Sequence, residues 1–386
     1  MSGTRSDVDD VDRLARVALS KTIEPGDPRV TGLVSELGAA KVLGYLEAAG
    51  EVETHWAFAL AQELGRVDPA QVLERAAARG IRFIVPGDAE WPTQVGALRS
   101  AGALHDRGGE PVGLWVRGAH DLRQLAANAV AVVGSRAATN YGTEQATELS
   151  CDLASMGHTV ISGLAYGVDE AAHRGALIAG APTIAVMPGG VDRAYPAAHN
   201  QLLESIAERG LTVGEAPPGA GPTRTRFLAR NRVTAGLAEG TVVVEGAVRS
   251  GALNTAHWTT NLHRPVMGVP GPVTSAASVG VNQLIRLGQA SMVTTAQDVI
   301  TDVMTHQARV TSSPEHLDES FVPGPVRSPR PTNTPTANRC ASLPPRSASG
   351  RKYRTFSPNS ASAPWNGFPR ISSQAVFPSG RTANLV

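Results

Sequence analysis

Lysine is almost missing from this 386-residue chain: Lys21, Lys41 and Lys352 are all it has, and none lies between residues 42 and 351. A P-loop NTPase and a Schiff-base enzyme each need a lysine within the folded body, so both are excluded. Cysteine is equally scarce. Cys151 and Cys340 are too few for a disulfide scaffold or a multi-cysteine zinc site. Aromatics are only 4 % of the residues while glycines number 40, which suits a Gly-punctuated α/β chain rather than a β-sandwich or coiled coil. No run of 18 apolar residues occurs, and the N-terminal MSGTRSDVDDVDR is acidic without an apolar stretch. Neither a spanning helix nor a secretory signal is therefore expected, and the reading is a soluble cytoplasmic protein with no membrane partner.

Basic charge is also lacking where most of the chain lies. From Val322 to the end there are nine Lys+Arg, no Asp or Glu and eleven Pro in 65 residues. The preceding 321 residues hold 26 basic and 34 acidic groups, a net of −8. No basic field covers the body, so any anion site must be local.

What is present falls into three stretches. Residues 1–79 show helical periodicity, with Leu14, Val17 and Ala18, then Val42, Leu43 and Leu46, broken by EPGDP at Glu24 to Pro28. This predicts a small helical N-terminal domain. Residues 80–310 form the core with its N-terminal extension. Two short strand signals, 81–85 and 113–118, make a connector, and from residue 129 strands alternate with helix-length segments. Strands are expected at 129–133, 159–161, 183–187, 211–213, 241–244 and 265–269, and a closing helix near 295–304. Short apolar strands separated by helices predict an α/β fold: a Rossmann-like parallel sheet with helices on both faces. Residues 311–386 are Pro/Ser/Arg-rich, with isolated aromatics, and are expected to be a disordered tail.

Each strand runs into a glycine: Gly134, Gly163, Gly189-Gly190, Gly214, Gly246 and Gly271. Such turns share one sheet edge, where backbone N–H groups can approach an anion. Gly134-Ser135-Arg136 adds a hydroxyl and a guanidinium ahead of a helix, which suits phosphate, although the dinucleotide spacing GxGxxG is absent. Tyr141, Tyr166, Tyr195 and Phe227 fall in or beside the loops after the first four strands, where stacking on bases would explain them. Arg224, Arg226, Arg230 and Arg232 crowd nine residues around Phe227, with no acid between Glu215 and Glu239. Arginine interleaved with an aromatic reads as backbone-phosphate contacts beside a stacking platform. Asp169 and His173 share a helix face, and a hydrogen-bonded pair at the helix start is expected of them. No third ligand completes a metal site, and GxSxG is missing, so no catalytic residue and no cofactor are assigned.

The motifs VVGSRAATNYG, ISGLAYGVDEAAHRGAL, TIAVMPGGVDRAYPAAHNQL, FLARNRVTAGL, VVVEGAVRSGALNTA and GVPGPV, in this order, resemble the DprA/Smf family of bacterial DNA-processing proteins. The resemblance spans about residues 125–303 and implies a Rossmann-like core that binds single-stranded DNA without sequence preference. It also implies loading of the RecA recombinase in natural transformation, no turnover chemistry, and a homodimer. Carried onto this chain, it places Arg136, Gly189, Gly190, Arg224 and Phe227 in the DNA pocket, with Ser135 in the same turn. Arg230 and Arg232 join them either as DNA contacts or as buried supports of the fold. The helix–turn–helix pattern of the winged-helix domain that ends many relatives does not follow Ile300. The abrupt tail composition reads either as a shifted reading frame or as a basic extension adding salt-sensitive affinity. A phosphoribohydrolase-like enzyme of a related fold is the alternative, but Val191 to Tyr195 replace the GT of its PGGxGTxxE pattern.

Overall fold

A computed structural model describes residues 10–48 and 55–312, with side chains described for 10–47 and 60–312. Of the tail expected over 311–386, Thr311 and Ser312 are instead the end of the last described helix, and the rest lies outside the described residues. The chain opens with five helices, α1 (Asp10–Thr22), α2 (Pro28–Leu37), α3 (Ala39–Ala48), α4 (His55–Leu64) and α5 (Pro69–Ala77). Two of them start on Asp-Pro: the carboxylates of Asp27 and Asp68 accept from the backbone N–H of Arg29 and Gln71, and proline fills the first helical position, which needs no donor. Ala15, Val17, Ala18 and Leu19 of α1 are buried, and Ala15, Ala18 and Leu19 pack with Val30, Val34, Val42 and Leu46.

Then come β1 (Ile81–Ile84), the hairpin β2 (Ala103–Leu104) and β3 (Arg107–Gly108), β4 (Leu114–Arg117) and α6 (Leu122–Ala126). The alternating part follows: β5 (Ala129–Val133), α7 (Asn140–Ser155), β6 (Thr159–Ser162), α8 (Val168–Ile178), β7 (Thr183–Met187), α9 (Asn200–Arg209), β8 (Leu211–Gly214) and α10 (Arg224–Leu237). It ends with β9 (Gly240–Val243), α11 (Gly251–Asn261), β10 (Val266–Gly268), α12 (Val279–Arg286), β11 (Ser291–Met292) and α13 (Ala296–Ser312).

Nine strands form one sheet in the order β1-β4-β8-β7-β6-β5-β9-β10-β11. From β8 to β11 every pairing is parallel, as the crossover helices require. The sheet as a whole is mixed. The two connector strands extend it, β4 running antiparallel to β8 and β1 antiparallel to β4. No crossover helix leads into β4, so nothing forces a parallel pairing there. Wholly buried Trp115 packs against Phe83, ring centroids 4.6 Å apart, which anchors the extension. Pairing also covers what would otherwise be an open edge at β8.

Both faces of the sheet are covered. Val130, Val132, Val160 and Val242 meet Leu149 and Leu153 of α7, Ala172 of α8 and Val299 of α13. On the opposite face Ala131, Ile161 and Ile184 meet Val233 of α10 and Trp258 of α11. After β5 the chain winds one way through β6, β7 and β8, then returns across the sheet in α10 to lay β9 on the other side of β5. The strand order reverses at β5 and β9. A crevice outside their carboxyl ends is where an open α/β sheet binds its ligand.

Candidate functional site

A cleft of about 660 Å³ opens at that reversal. Its walls are the turn Gly134–Ala137 after β5, Ala165 and Asp169 around the start of α8, Tyr195, one face of α10 and the first turns of α11 from Ser250 to Thr255. Thr223 starts α10 by accepting from the Arg226 N–H. Spacings of three and four residues then bring Phe227, Arg230, Asn231 and Thr234 to one helix face, toward the cleft.

At the mouth, exposed Arg136 lays its guanidinium over Phe227, 4.4 Å from the ring centroid. Half-exposed Tyr195 meets the same ring edge-on at 5.7 Å. The Arg136 turn is fixed from beneath: Ser135 Oγ accepts from Ala137 N–H at 3.2 Å, and the Ser135 carbonyl accepts from Val168 N–H at 3.2 Å. Arg224, in the first turn of α10, is exposed and has no partner among the described residues.

Arg230 reaches the cleft from below. It is 9 % exposed, donates to the Val186 carbonyl at 3.2 Å, and lies 3.9 Å from the buried Asp169 carboxylate. Burial pushes Asp169 up, against the opposing pull of Arg230, and the same burial pushes Arg230 down. Gly163 makes room for this guanidinium, which a Cβ at that position would overlap. The strand-end glycine is thus a steric requirement of Arg230.

The other two arginines of the cluster point away. Arg232 is wholly buried and gives Nη2 to both oxygens of Glu215, at 2.6 and 2.8 Å, while Gly26 N–H donates to the same carboxylate at 3.3 Å. Arg226 pairs with Glu24 at 2.8 Å. Both hold the turn after α1 to the back of α10. Gly189 and Gly190 are also outside the cleft lining. They are buried beneath the loop 217–221, Gly190 N–H donating to the Ala220 carbonyl at 2.9 Å, and so support the chain leading into α10.

Sequence reasoning missed Glu245. This fully buried carboxylate ends the apolar run of β9 and accepts from Thr139 N–H at 2.9 Å and Thr139 Oγ1 at 2.7 Å. It sits at the N-terminus of α7, against Gly142, where a Cβ would strike it. The protein's own anion thus fills the helix N-terminus that a dinucleotide pyrophosphate takes in this kind of fold. A lone acid closing VVVEG could have signalled it, since a buried carboxylate must find donors.

Other expectations are corrected. Tyr141 is anchored, its hydroxyl donating to the Pro270 carbonyl at 2.6 Å. Asp169 and His173 do not form a pair: Asp169 faces Arg230, and His173 Nδ1 meets Thr183 Oγ1 at 2.9 Å. Fully buried, His173 is pushed down to about 3 by desolvation, with Arg230 adding to the shift. Tyr166 is half-exposed and packs edge-on against His199 at 4.9 Å. Among the described residues no group of His, Cys, Asp and Glu could hold a metal, and no helix is long and apolar enough to cross a membrane.

Comparison with known proteins gives a consistent result. Residues 82–304 match the family model described as DNA recombination-mediator protein A. A DprA-type DNA processing protein of Mycobacterium tuberculosis is 44 % identical over 289 residues, 73 % of this chain and 72 % of its own length. Protein Smf of Escherichia coli is 36 % identical over 60 % of each chain. The X-ray structure of DNA processing protein A from Streptococcus pneumoniae aligns with a TM-score of 0.62 at 28 % identity, covering 76 % of this chain and 98 % of that one.

Proposed function

The chain belongs to the DNA recombination-mediator protein A family, the DprA/Smf DNA-processing proteins, and from that premise we propose that it binds single-stranded DNA at the strand-end cleft without sequence preference. The observation that carries this reading is the mouth itself, where the Arg136 guanidinium lies 4.4 Å from the Phe227 ring centroid and Arg224, without a partner among the described residues, lines the same cleft. Arg136 and Arg224 supply donors for two backbone phosphates, and guanidinium geometry lets each bridge two phosphate oxygens. Phe227 and Tyr195 supply ring faces for splayed bases, which any base can use. Buried Arg230 keeps positive charge at the floor without competing for solvent-exposed phosphate.

Glu245 favours a strand over a mononucleotide. With the N-terminus of α7 already holding a carboxylate, a phosphate deep in the crevice would meet like charge. The anion is turned outward, to Arg136 and α10. The cleft's own carboxylate, Asp169, is committed to Arg230, which supports a binding protein without turnover chemistry. In the family setting the bound strand is then protected and passed to RecA recombinase during DNA uptake, by a cytoplasmic homodimer.

Titrating labelled oligo-dT with the full chain at several salt concentrations tests this. The expected result is tight, salt-sensitive binding that Phe227→Ala weakens by about 1–3 kcal/mol. Binding that ignores Phe227, Arg136 and Arg224 would overturn the assignment of the cleft. Release of free base from a nucleoside monophosphate would favour the phosphoribohydrolase-like enzyme instead.

A further inference from the structure

The β2–β3 hairpin lies beside α10, and the function proposed above leaves it without a role. Its two turn residues, His105 and Asp106, both adopt left-handed backbone at φ 53° and 57°, a conformation that costs any residue with a Cβ. Glycine would relieve that cost; the chain instead sets an imidazole at the tip. The base of the hairpin is pinned: Arg107 Nη1 donates to the Pro25 carbonyl at 3.3 Å and Gly108 N–H to the Gly26 carbonyl at 2.9 Å.

A chain of side-chain hydrogen bonds runs from the cleft to this tip. Asn231, which lines the cleft one helical turn beyond Phe227, donates from Nδ2 to Asn254 Oδ1 at 3.0 Å. Asn254 in turn donates from Nδ2 to His105 Nδ1 at 3.4 Å. Asparagine Nδ2 can only donate, so His105 Nδ1 is the acceptor in this contact. The exposed imidazole is thereby linked through Asn254 to Asn231 in the wall of the cleft.

We infer that His105 is a second stacking platform, which takes the base of a nucleotide further along a strand already held at Phe227. This rests on the proposed single-strand reading. Histidine is among the rings on which splayed bases stack. The contact to Asn254 restricts the imidazole before the strand arrives, which reduces the entropy lost on stacking.

The test uses the full chain and two oligo-dT ligands, of about four and about sixteen nucleotides. His105→Ala should weaken the long ligand about ten-fold and leave the short one within about two-fold, the size of one lost stacking contact. Phe227→Ala should weaken both. His105→Phe, which keeps a ring and gives up the hydrogen bond, should restore long-ligand affinity. If His105→Ala binds the long ligand like the parent while Phe227→Ala does not, the second platform is wrong and the cleft stands. Equal weakening of both ligands by His105→Ala together with a lower melting temperature would reduce His105 to a structural role and overturn the inference. If neither ligand binds the parent, the single-strand reading itself fails.

Discussion

The arginines of α10 divide between two environments only a turn or two apart. Arg224 and the ring of Phe227 meet solvent and the cleft, while Arg232 is sealed against Glu215 and Arg230 is almost sealed beside Asp169. One sequence cluster therefore does two jobs. The exposed positions hold charge in reserve for a polyanion. The buried ones spend theirs on the fold, fixing the helix so that the exposed ones face the right way. The difference teaches that an arginine-rich segment reports where charge is concentrated and not which charges a ligand can reach.

Removing a buried charge should have the largest effect. Arg232→Ala leaves Glu215 uncompensated and is expected to lower unfolding free energy by about 3–5 kcal/mol, read by chemical denaturation. Arg224→Ala should leave stability within about 0.5 kcal/mol. Equal losses for the two variants would erase the division.

Acid should expose the buried side next. His173 sits at about 3 in the folded protein against an ordinary 6.5, so between those values the unfolded chain binds a proton that the folded chain does not. Its contribution to stability is present above pH 6.5 and is lost as pH falls toward 3. The raised Asp169 has the opposite sign, favouring the folded state at lower pH. His173→Gln should flatten the decline in melting temperature between pH 6.5 and 4, and an unchanged profile would show that the imidazole is not the group responsible.

Phe227→Ala should cost about 1–3 kcal/mol of oligo-dT affinity with little change in the salt slope, since a neutral ring releases no counterions. The smallest contrast lies within one turn. Arg224→Ala should reduce the salt slope by about 0.7, whereas Arg226→Ala should leave it unchanged because Arg226 is held by Glu24, and should cost at most about 1 kcal/mol of stability.

The parallel strands β5 to β10 were legible because each is a short apolar run with a glycine at or near its end, and the alternation with helices is local in sequence; β11, two exposed residues, gave no such signal. The antiparallel extension was less so. Residues 81–84 and 114–117 show a strand signal, but nothing in the latter names β8 as its partner 95 to 99 positions later. The cleft's charge and ring could be read from Arg136, Arg224 and Phe227. The fates of Arg226, Arg230 and Arg232 could not, because their partners Glu24, Asp169 and Glu215 are brought in by the fold. Gly189 and Gly190 looked like ligand turns by the same token, yet their missing side chains serve close backbone packing. Glu245 is the converse case, an inconspicuous residue that decides where an anion cannot sit.

The central claim is that Arg136 and Arg224, at the mouth of the cleft, contact the phosphates of the strand. The most direct measurement is the salt dependence of oligo-dT affinity for the full chain beside the double variant Arg136→Ala/Arg224→Ala. Two lost phosphate contacts should lower the slope of log K against log salt by about 1.4, with weaker binding across sequences. An unchanged slope and affinity would mean that the strand binds elsewhere, and the stacked Arg136 and Phe227 would then be a structural pair.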